Sequence, residues 1–212
     1  MADAQAEIPI FELPVVLLPG ELLPLHIFEE RYKRMIAHCL DAEEPFGIVF
    51  RDDDGSARRI GCEARVTEVL EQFDDGRMNI VVAGERPFRV LDRFEAPEYP
   101  AGEVEPIESP PLPEEDPDAA ERARTAFAEL VERVSGEPPE AEELAGEDAY
   151  GLAARVELPS ETKQRLLELR SEPERMRVLG NALRALADLV NRSREIAERA
   201  RMNGKLIIGD LG

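Results

Sequence analysis

The chain is poor in the residues that most often form cross-links or metal sites. Its 212 residues include two cysteines, two histidines and no tryptophan, and aromatic residues make up 5%. Cys39 and Cys62 cannot form a disulfide framework, and we expect both to be reduced thiols. The longest stretch without a charged residue, Leu13–Gly20, has eight residues. A membrane-spanning helix needs about 20, so the composition predicts none.

Positive charge is scarce as well. The chain has 26 Lys and Arg residues against 46 Asp and Glu, a formal net charge of −20, and only three of the basic residues are lysines. Such a surface repels phosphate backbones and anionic lipid headgroups, so we expect neither nucleic acid nor a membrane as partner. The N-terminal residues lack the basic start and apolar core of a signal peptide. We therefore expect a cytoplasmic location.

Several motifs of catalysis and cofactor binding are missing. The chain contains neither the Gly-x-x-x-x-Gly-Lys-Ser/Thr loop of nucleotide hydrolases nor the Gly-x-Gly-x-x-Gly turn of dinucleotide-binding folds. It contains no Cys-x-x-Cys, no His-Glu-x-x-His and no Gly-x-Ser-x-Gly. We therefore predict no catalytic residue, no metal site and no cofactor, and we expect that the protein is not an enzyme.

The first part of the chain, to about Ile107, has the pattern of a β domain. Short apolar runs bounded by turn residues predict strands at Val15–Leu18, Phe46–Phe50, Val66–Phe73 and Met78–Val82, with another through Phe88, Val90 and Phe94. The Asp-Gly pair at Asp75-Gly76 is a hairpin signal. One helix, Glu29–Leu40, is predicted from apolar residues that share one face.

The remainder is predicted to be helical. A proline-rich linker, Glu108–Asp116, precedes a helix that ends at Ser135-Gly136, and a weaker helix follows at about Glu140–Val156. A third helix starts at Pro159-Ser160. The last is the longest and runs from a capping box at Ser171 to about Asn203. We therefore predict two domains, residues 1–110 and 111–212.

The segment Ile8–Tyr32 is unusual because four prolines stand in a strongly apolar sequence. Proline blocks helix, so we predict an extended, edge-like path with bends. This segment and those that follow resemble the N-terminal, substrate-binding domain of Lon proteases. The blocks that carry the resemblance are Leu13-Pro14, Leu17-Leu18-Pro19-Gly20, Leu23–Glu29 with Arg31-Tyr32, Phe46–Val49, Ile60–Ala64, Asp75–Arg77 and Gly84–Val90.

The resemblance implies an α+β protein, with a PUA-like β pseudo-barrel that contains one helix and is followed by a C-terminal α-helical bundle. It implies a non-catalytic module that binds unfolded or degron-bearing polypeptide, with a protease or chaperone acting in trans. The ATPase and peptidase modules of a full Lon protease do not fit in 212 residues.

Four apolar residues are our candidates for the peptide-binding patch: Leu22, Leu23, Phe28 and Tyr32. We interpret His26, which stands among them, as a hydrogen-bonded core residue. Two other functions stay open. One is a small-molecule or nucleotide-binding regulator, which a PUA-like barrel allows; the other is a peptidase, which only the family name suggests.

Overall fold

The computed structural model describes residues 5–96, 98–108 and 116–206. The β part consists of strands β1 (Ala6–Leu13), β2 (Leu22–Ile27), β3 (Phe46–Arg51), β4 (Ala57–Gln72), β5 (Met78–Glu95) and β6 (Pro100–Pro106), with helix α1 (Glu30–Ala42) after β2. The helical part consists of α2 (Pro117–Ser135), α3 (Ala141–Leu144), α4 (Ala149–Ala153), α5 (Ser160–Glu168) and α6 (Glu172–Leu206). The predicted α+β class, with one helix in the β part, is confirmed.

The sheet closes into a barrel because the edge of β5 opposite β4 is shared by two strands, β2 and β6, along different parts of its length. The strand order is β2-β5-β4-β3-β1-β6, and β5 also pairs with β6. Residues 78–83 of β5 pair with β2, whereas residues 88–95 pair with β6. Strands β1, β3, β4, β5 and β6 therefore form the closed barrel, and β2 lies outside it as an added edge strand.

The proline-rich N-terminal segment forms β1, an irregular buried stretch and β2. The predicted strand Val15–Leu18 is wrong: these residues pair with no strand, although Val16, Leu17 and Leu18 are buried. The chain then reverses in a type II turn, in which Gly20 has φ +77° and Glu21 N–H donates to Leu18 O at 3.1 Å. Strand β1 is not an edge strand, contrary to our expectation, because it lies between β3 and β6.

The helices follow the predicted order with two differences. The weak helix expected at Glu140–Val156 is two short helices, α3 and α4, with Gly146 at φ +87° between them. Ser171 does not act as the predicted cap, because its hydroxyl is buried without a hydrogen-bond partner among the described residues. The neighbouring Glu172 does make hydrogen bonds: its carboxylate accepts from Ala149 N–H and from the Arg175 side chain.

The barrel and the helices share one buried cluster of side chains. It includes Phe46 and Ile80 of the barrel together with Phe127 and Leu166 of the helical part. The side-chain amide of Gln164 donates to Ile60 O at 3.1 Å and ties α5 to β4. The division at residue 110 stays a prediction, and residues 109–115 of the predicted linker lie outside the described residues.

Candidate functional site

Strand β2 presents one edge to β5 and leaves the other open. The N–H of Gly84 donates to Glu21 O at 3.0 Å, and the pairing continues without a register shift from Leu22–Ala83 to Ile27–Met78. Because antiparallel pairs alternate, the backbone groups of Leu22, Pro24 and His26 point away from β5. No described strand pairs with that side. Pro24 has no N–H to donate there, as expected for proline on an open edge.

Exposed apolar side chains follow one another along β2. Side chains of alternate residues share a face of a strand, so Leu22, Pro24, His26 and Phe28 form one row, which we call the β2 face. Leu22 is 63% exposed and Phe28 60% exposed. Two half-buried residues of β5, Val81 and Ala83, lie beside this row on the same face of the sheet, opposite Pro24 and Leu22. The β2 face extends over roughly 20 Å, at about 3.3 Å per residue.

His26 links the β2 face to the β4–β5 hairpin. Its Nδ1 lies 2.7 Å from Asn79 Oδ1, and Asn79 Nδ2 donates to the Glu71 carboxylate at 3.0 Å. The His26 ring stacks on Phe28 with 5.9 Å between centroids, and Phe73 meets it edge-on at 6.3 Å. His26 is hydrogen-bonded as expected, but its assignment to the core is wrong because the side chain is exposed.

The four predicted site residues occupy different environments. Leu22 and Phe28 lie on the β2 face, whereas Leu23 is half-buried and packs against the core on the opposite side of the strand. Tyr32 is 7% exposed, and its ring centroid lies 4.0 Å from that of Phe11. Tyr32 therefore belongs to the core and offers a ligand little area.

Sequence reasoning missed Pro24 and His26 as members of this surface, and Val81 beside them. The signal that could have found the first two was the alternation along Leu22–Phe28. Once this segment is treated as a strand, even-numbered residues share one face. Val81 had no local signal, because its position beside β2 depends on a pairing between segments more than fifty residues apart.

The turn before β2 is held by a close backbone contact. A Cβ atom at Gly84 would lie 2.1 Å from Leu18 O, so only glycine allows this approach. The Glu21 carboxylate accepts from Leu18 N–H at 3.0 Å and also pairs with Lys163 of α5. These contacts fix the start of β2 against both the barrel and the helical part.

The histidines and cysteines do not form a cluster. His38 Nε2 lies 3.8 Å from Glu44 Oε2. Burial raises the pKa of the Cys39 thiol to about 11 and also raises the pKa of Cys62. Both thiols are therefore protonated near neutral pH and are poor nucleophiles there. Among the described residues, no group of three His, Cys, Asp or Glu side chains is arranged to hold a metal ion.

Comparison with known proteins identifies the family. The model of the ATP-dependent protease La (LON) substrate-binding domain matches residues 7–185. The chain belongs to this family. The match runs through both the barrel and most of the helical part. In the part of the chain that the structure describes, no helix has the length and apolar character needed to span a membrane.

Relatives and solved structures agree with this assignment. The chain is 27% identical to a Lon protease of Anaeromyxobacter dehalogenans over 225 residues, and 26% identical to Lon protease 2 of Myxococcus xanthus. Each alignment covers 99% of this chain but 26% of the relative, so the chain spans about a quarter of their length.

Two solved structures share the fold. A Lon N-terminal domain protein from Xanthomonas campestris superposes with a TM-score of 0.61 at 25% identity, covering 81% of this chain and 95% of that one. The N-terminal domain of a Mycobacterium avium complex Lon protease superposes with a TM-score of 0.65 at 20% identity, covering 84% and 98%. The likeness extends over nearly the whole of both solved chains.

Proposed function

We propose that this protein is a non-catalytic polypeptide-binding module that holds unfolded or degron-bearing segments on the β2 face. The observation that carries the proposal is the row of exposed apolar side chains beside an unpaired strand edge. Contiguous exposed apolar surface is uncommon on soluble proteins and marks interaction sites. The partner class fits because an unfolded chain exposes apolar side chains and free backbone groups together, whereas a native protein buries most of both.

Two interactions would contribute to binding. An extended segment beside β2 would receive backbone hydrogen bonds from Leu22 and His26, and Pro24 would interrupt them by offering only its carbonyl. The side chains of Leu22 and Phe28 would be buried under the segment. Complete burial of such a side chain contributes about 1.5–3 kcal/mol. The affinity would therefore depend on apolar content more than on any one sequence.

The family assignment supports a binding role rather than a catalytic one for residues 7–185. The matched family is a substrate-binding domain, and the matched relatives are proteases about four times as long. A module of this kind would act with a protease or chaperone in trans. We retain a cytoplasmic location as part of the proposal, since Cys39 and Cys62 are free, buried thiols.

The first experiment is fluorescence anisotropy of a labelled, permanently unfolded polypeptide titrated with this protein. We expect saturable binding that unlabelled unfolded polypeptide displaces and the same polypeptide in native form does not. Displacement by the native form, or no binding up to several hundred micromolar protein, would contradict the proposal.

Substitution of the β2 face tests the location of the site. We expect Phe28→Asp to weaken binding by about 10- to 100-fold, because one apolar contact of about 1.5–3 kcal/mol is lost and a charge is placed in the interface. The matched control is Val134→Asp on α2, where the native side chain is 65% exposed and far along the chain from β2. Equal losses in both variants would exclude the β2 face as the site.

A second candidate function, a small-ligand regulator, is favoured by one cavity of about 500 Å³ between β1, β6 and the end of α1. Its lining includes Tyr99 and His38, together with the carboxylates of Glu7, Glu44 and Glu98. Carboxylates repel phosphate groups, so the cavity disfavours nucleotides and favours neutral or cationic ligands. Thermal-shift screening with cationic amines tests this candidate, and no shift across the panel would count against it.

A further inference from the structure

The cavity between β1, β6 and the end of α1, which we call the β1–β6 cavity, combines an apolar floor with aromatic walls. Its volume of about 500 Å³ lies within the usual range of ligand sites, about 300–1,000 Å³. The floor is formed by Ile8, Pro9 and Ala101, which are all buried. The rings of His38 and Tyr99 form the walls, with 5.8 Å between their centroids. The cavity therefore offers apolar and aromatic surface to a flat group.

Three carboxylates surround the opening of the β1–β6 cavity. Glu7 of β1, Glu44 after α1 and Glu98 before β6 all line it, and all three are exposed. His38 Nε2 lies 3.8 Å from Glu44 Oε2, whereas Glu7 and Glu98 have no ion-pair partner among the described residues. Burial raises the pKa of Tyr99, and the negative charges of Glu98, Glu44 and Glu7 raise it further. The three carboxylates therefore act on the ring of Tyr99 together, and a cation at that ring would neutralise them.

The combination of rings and carboxylates favours a guanidinium group among cations. Of the described residues that line the cavity, His38 is the only one able to carry a positive charge. A guanidinium group is planar, so it can stack on an aromatic ring while its edge donates N–H groups to carboxylates. An ammonium group is a compact and strongly hydrated charge that gains less from a flat aromatic surface.

An open stretch of strand edge beside the cavity favours a polypeptide as the source of the guanidinium group. Residues 6–9 of β1 pair with β6, whereas β3 pairs with β1 only from Ile10 onward. No described strand pairs with residues 6–9 on the side away from β6. Glu7, Ile8 and Pro9 belong to this stretch and also line the cavity. An extended segment can therefore follow this edge and place one side chain in the cavity.

We infer that the β1–β6 cavity binds the guanidinium group of an arginine residue in an extended polypeptide. The group stacks on the ring of Tyr99, and the carboxylates of Glu98 and Glu7 accept hydrogen bonds from its edge. The inference rests on the proposed binding of polypeptides and makes it more specific, because the preferred clients then carry arginine as well as apolar residues. The cavity and the β2 face share no residue, so each can be tested without the other.

An NMR titration of the full chain at low ionic strength tests the inference. The probe is a short peptide of glycine and serine around one central arginine, and the matched peptides carry citrulline, which has the same shape without the charge, or lysine. We expect the arginine peptide to bind about tenfold more tightly than the citrulline peptide and to shift the amide signals of His38 and Tyr99. Equal affinities for these two peptides would overturn the inference. A lysine peptide that binds as tightly as the arginine peptide would overturn the assignment to guanidinium.

Substitutions locate the site. Tyr99→Leu should weaken binding of the arginine peptide about tenfold, whereas Tyr99→Phe, which keeps the ring, should retain it. Glu98→Gln should weaken binding about two- to fivefold, because one exposed ion pair is lost. The matched control is Glu132→Gln, which removes the same charge from an exposed position on α2. Equal losses at Glu98 and Glu132, or retained binding in Tyr99→Leu, would overturn the inference.

The same probe separates this inference from the proposed function. The arginine peptide has no apolar side chain to place on the β2 face, so Phe28→Asp should leave its affinity unchanged. An unfolded polypeptide that fails to bind would contradict the β2 face without affecting this result. A loss of arginine-peptide binding in Phe28→Asp equal to that in Tyr99→Leu would overturn the assignment to the β1–β6 cavity.

Discussion

At the scale of single residues, glycine at position 84 shows how a sequence motif serves packing. The block Gly84-Glu85-Arg86-Pro87 contributes to the family resemblance, and its glycine allows a close approach of the backbone at Leu18. An added Cβ would lie 2.1 Å from Leu18 O and 3.1 Å from Leu17 Cγ. The nearest of these atoms belongs to the main chain of the buried stretch before β2, so it cannot rotate away as a flexible side chain does.

We predict that Gly84→Ala destabilises the protein by about 2 kcal/mol or more, because overpacking against fixed backbone costs 1–3 kcal/mol in typical cores. Urea unfolding followed by circular dichroism measures the change. Gly151→Ala in α4 is the matched control, since the new Cβ there meets only the flexible carboxylate end of Glu147 and Asp148. A stability loss at Gly151 equal to that at Gly84 would contradict this explanation.

At the scale of elements, β2 owes its properties to the single strand that it pairs with. A strand outside a closed barrel exposes N–H and C=O groups that can recruit another strand. Pro24 stands in the middle of the open edge and removes one donor from it. The same proline thus reduces self-association of the edge, while the carbonyls and the N–H groups of Leu22 and His26 stay available to an extended ligand.

We predict that Pro24→Val increases aggregation, because the substitution restores an N–H to the open edge and adds a residue that favours strands. Light scattering during incubation at 37 °C and 100 µM measures the effect. Pro138→Val, in the loop before α3, makes the same chemical change away from any strand edge. If both variants scatter alike, proline at position 24 has no protective role.

At the scale of the whole molecule, the barrel and the helices are joined by contacts that neither part can make alone. Lys163 of α5 pairs with Glu21 before β2, and Arg58 of β4 pairs with Glu161 at 2.9 Å. Beneath these ion pairs, apolar side chains of both parts form one buried cluster. The Arg58–Glu161 pair is exposed and contributes little, and desolvation offsets much of the attraction within the largely buried Lys163–Glu21 pair. The cluster is therefore the main source of coupling.

We predict that the chain unfolds in a single cooperative transition and that Leu166→Ala lowers the stability of both parts. Leu166 is fully buried in α5, and truncation of such a leucine costs 2–5 kcal/mol. Hydrogen exchange should show faster amide exchange in β4 as well as in α2. Leu70→Ala, at a side chain 55% exposed, is the control. Loss of protection confined to the helices would show that the two parts unfold separately.

The sequence by itself determined the fold class, the order of most elements and the family. These properties depend on local patterns: apolar periodicity, turn residues such as Asp75-Gly76, and helix starts such as Asp116-Pro117. Asp116 does cap α2, accepting from Ala119 N–H at 3.0 Å. The expectation of an extended N-terminal path also held, because proline excludes helix through its own ring and needs no distant partner.

Only the tertiary structure decided which parts of that path pair and which residues are exposed. Val15–Leu18 has the composition of a strand but lies where no strand is available to pair with it. Tyr32 and Phe28 are both aromatic residues of one apolar segment, yet the packing of α1 on Phe11 buries Tyr32 and leaves Phe28 in solvent. Strand pairing and burial depend on segments that are distant in the sequence, such as β2 and β5, so local sequence patterns do not encode them one residue at a time.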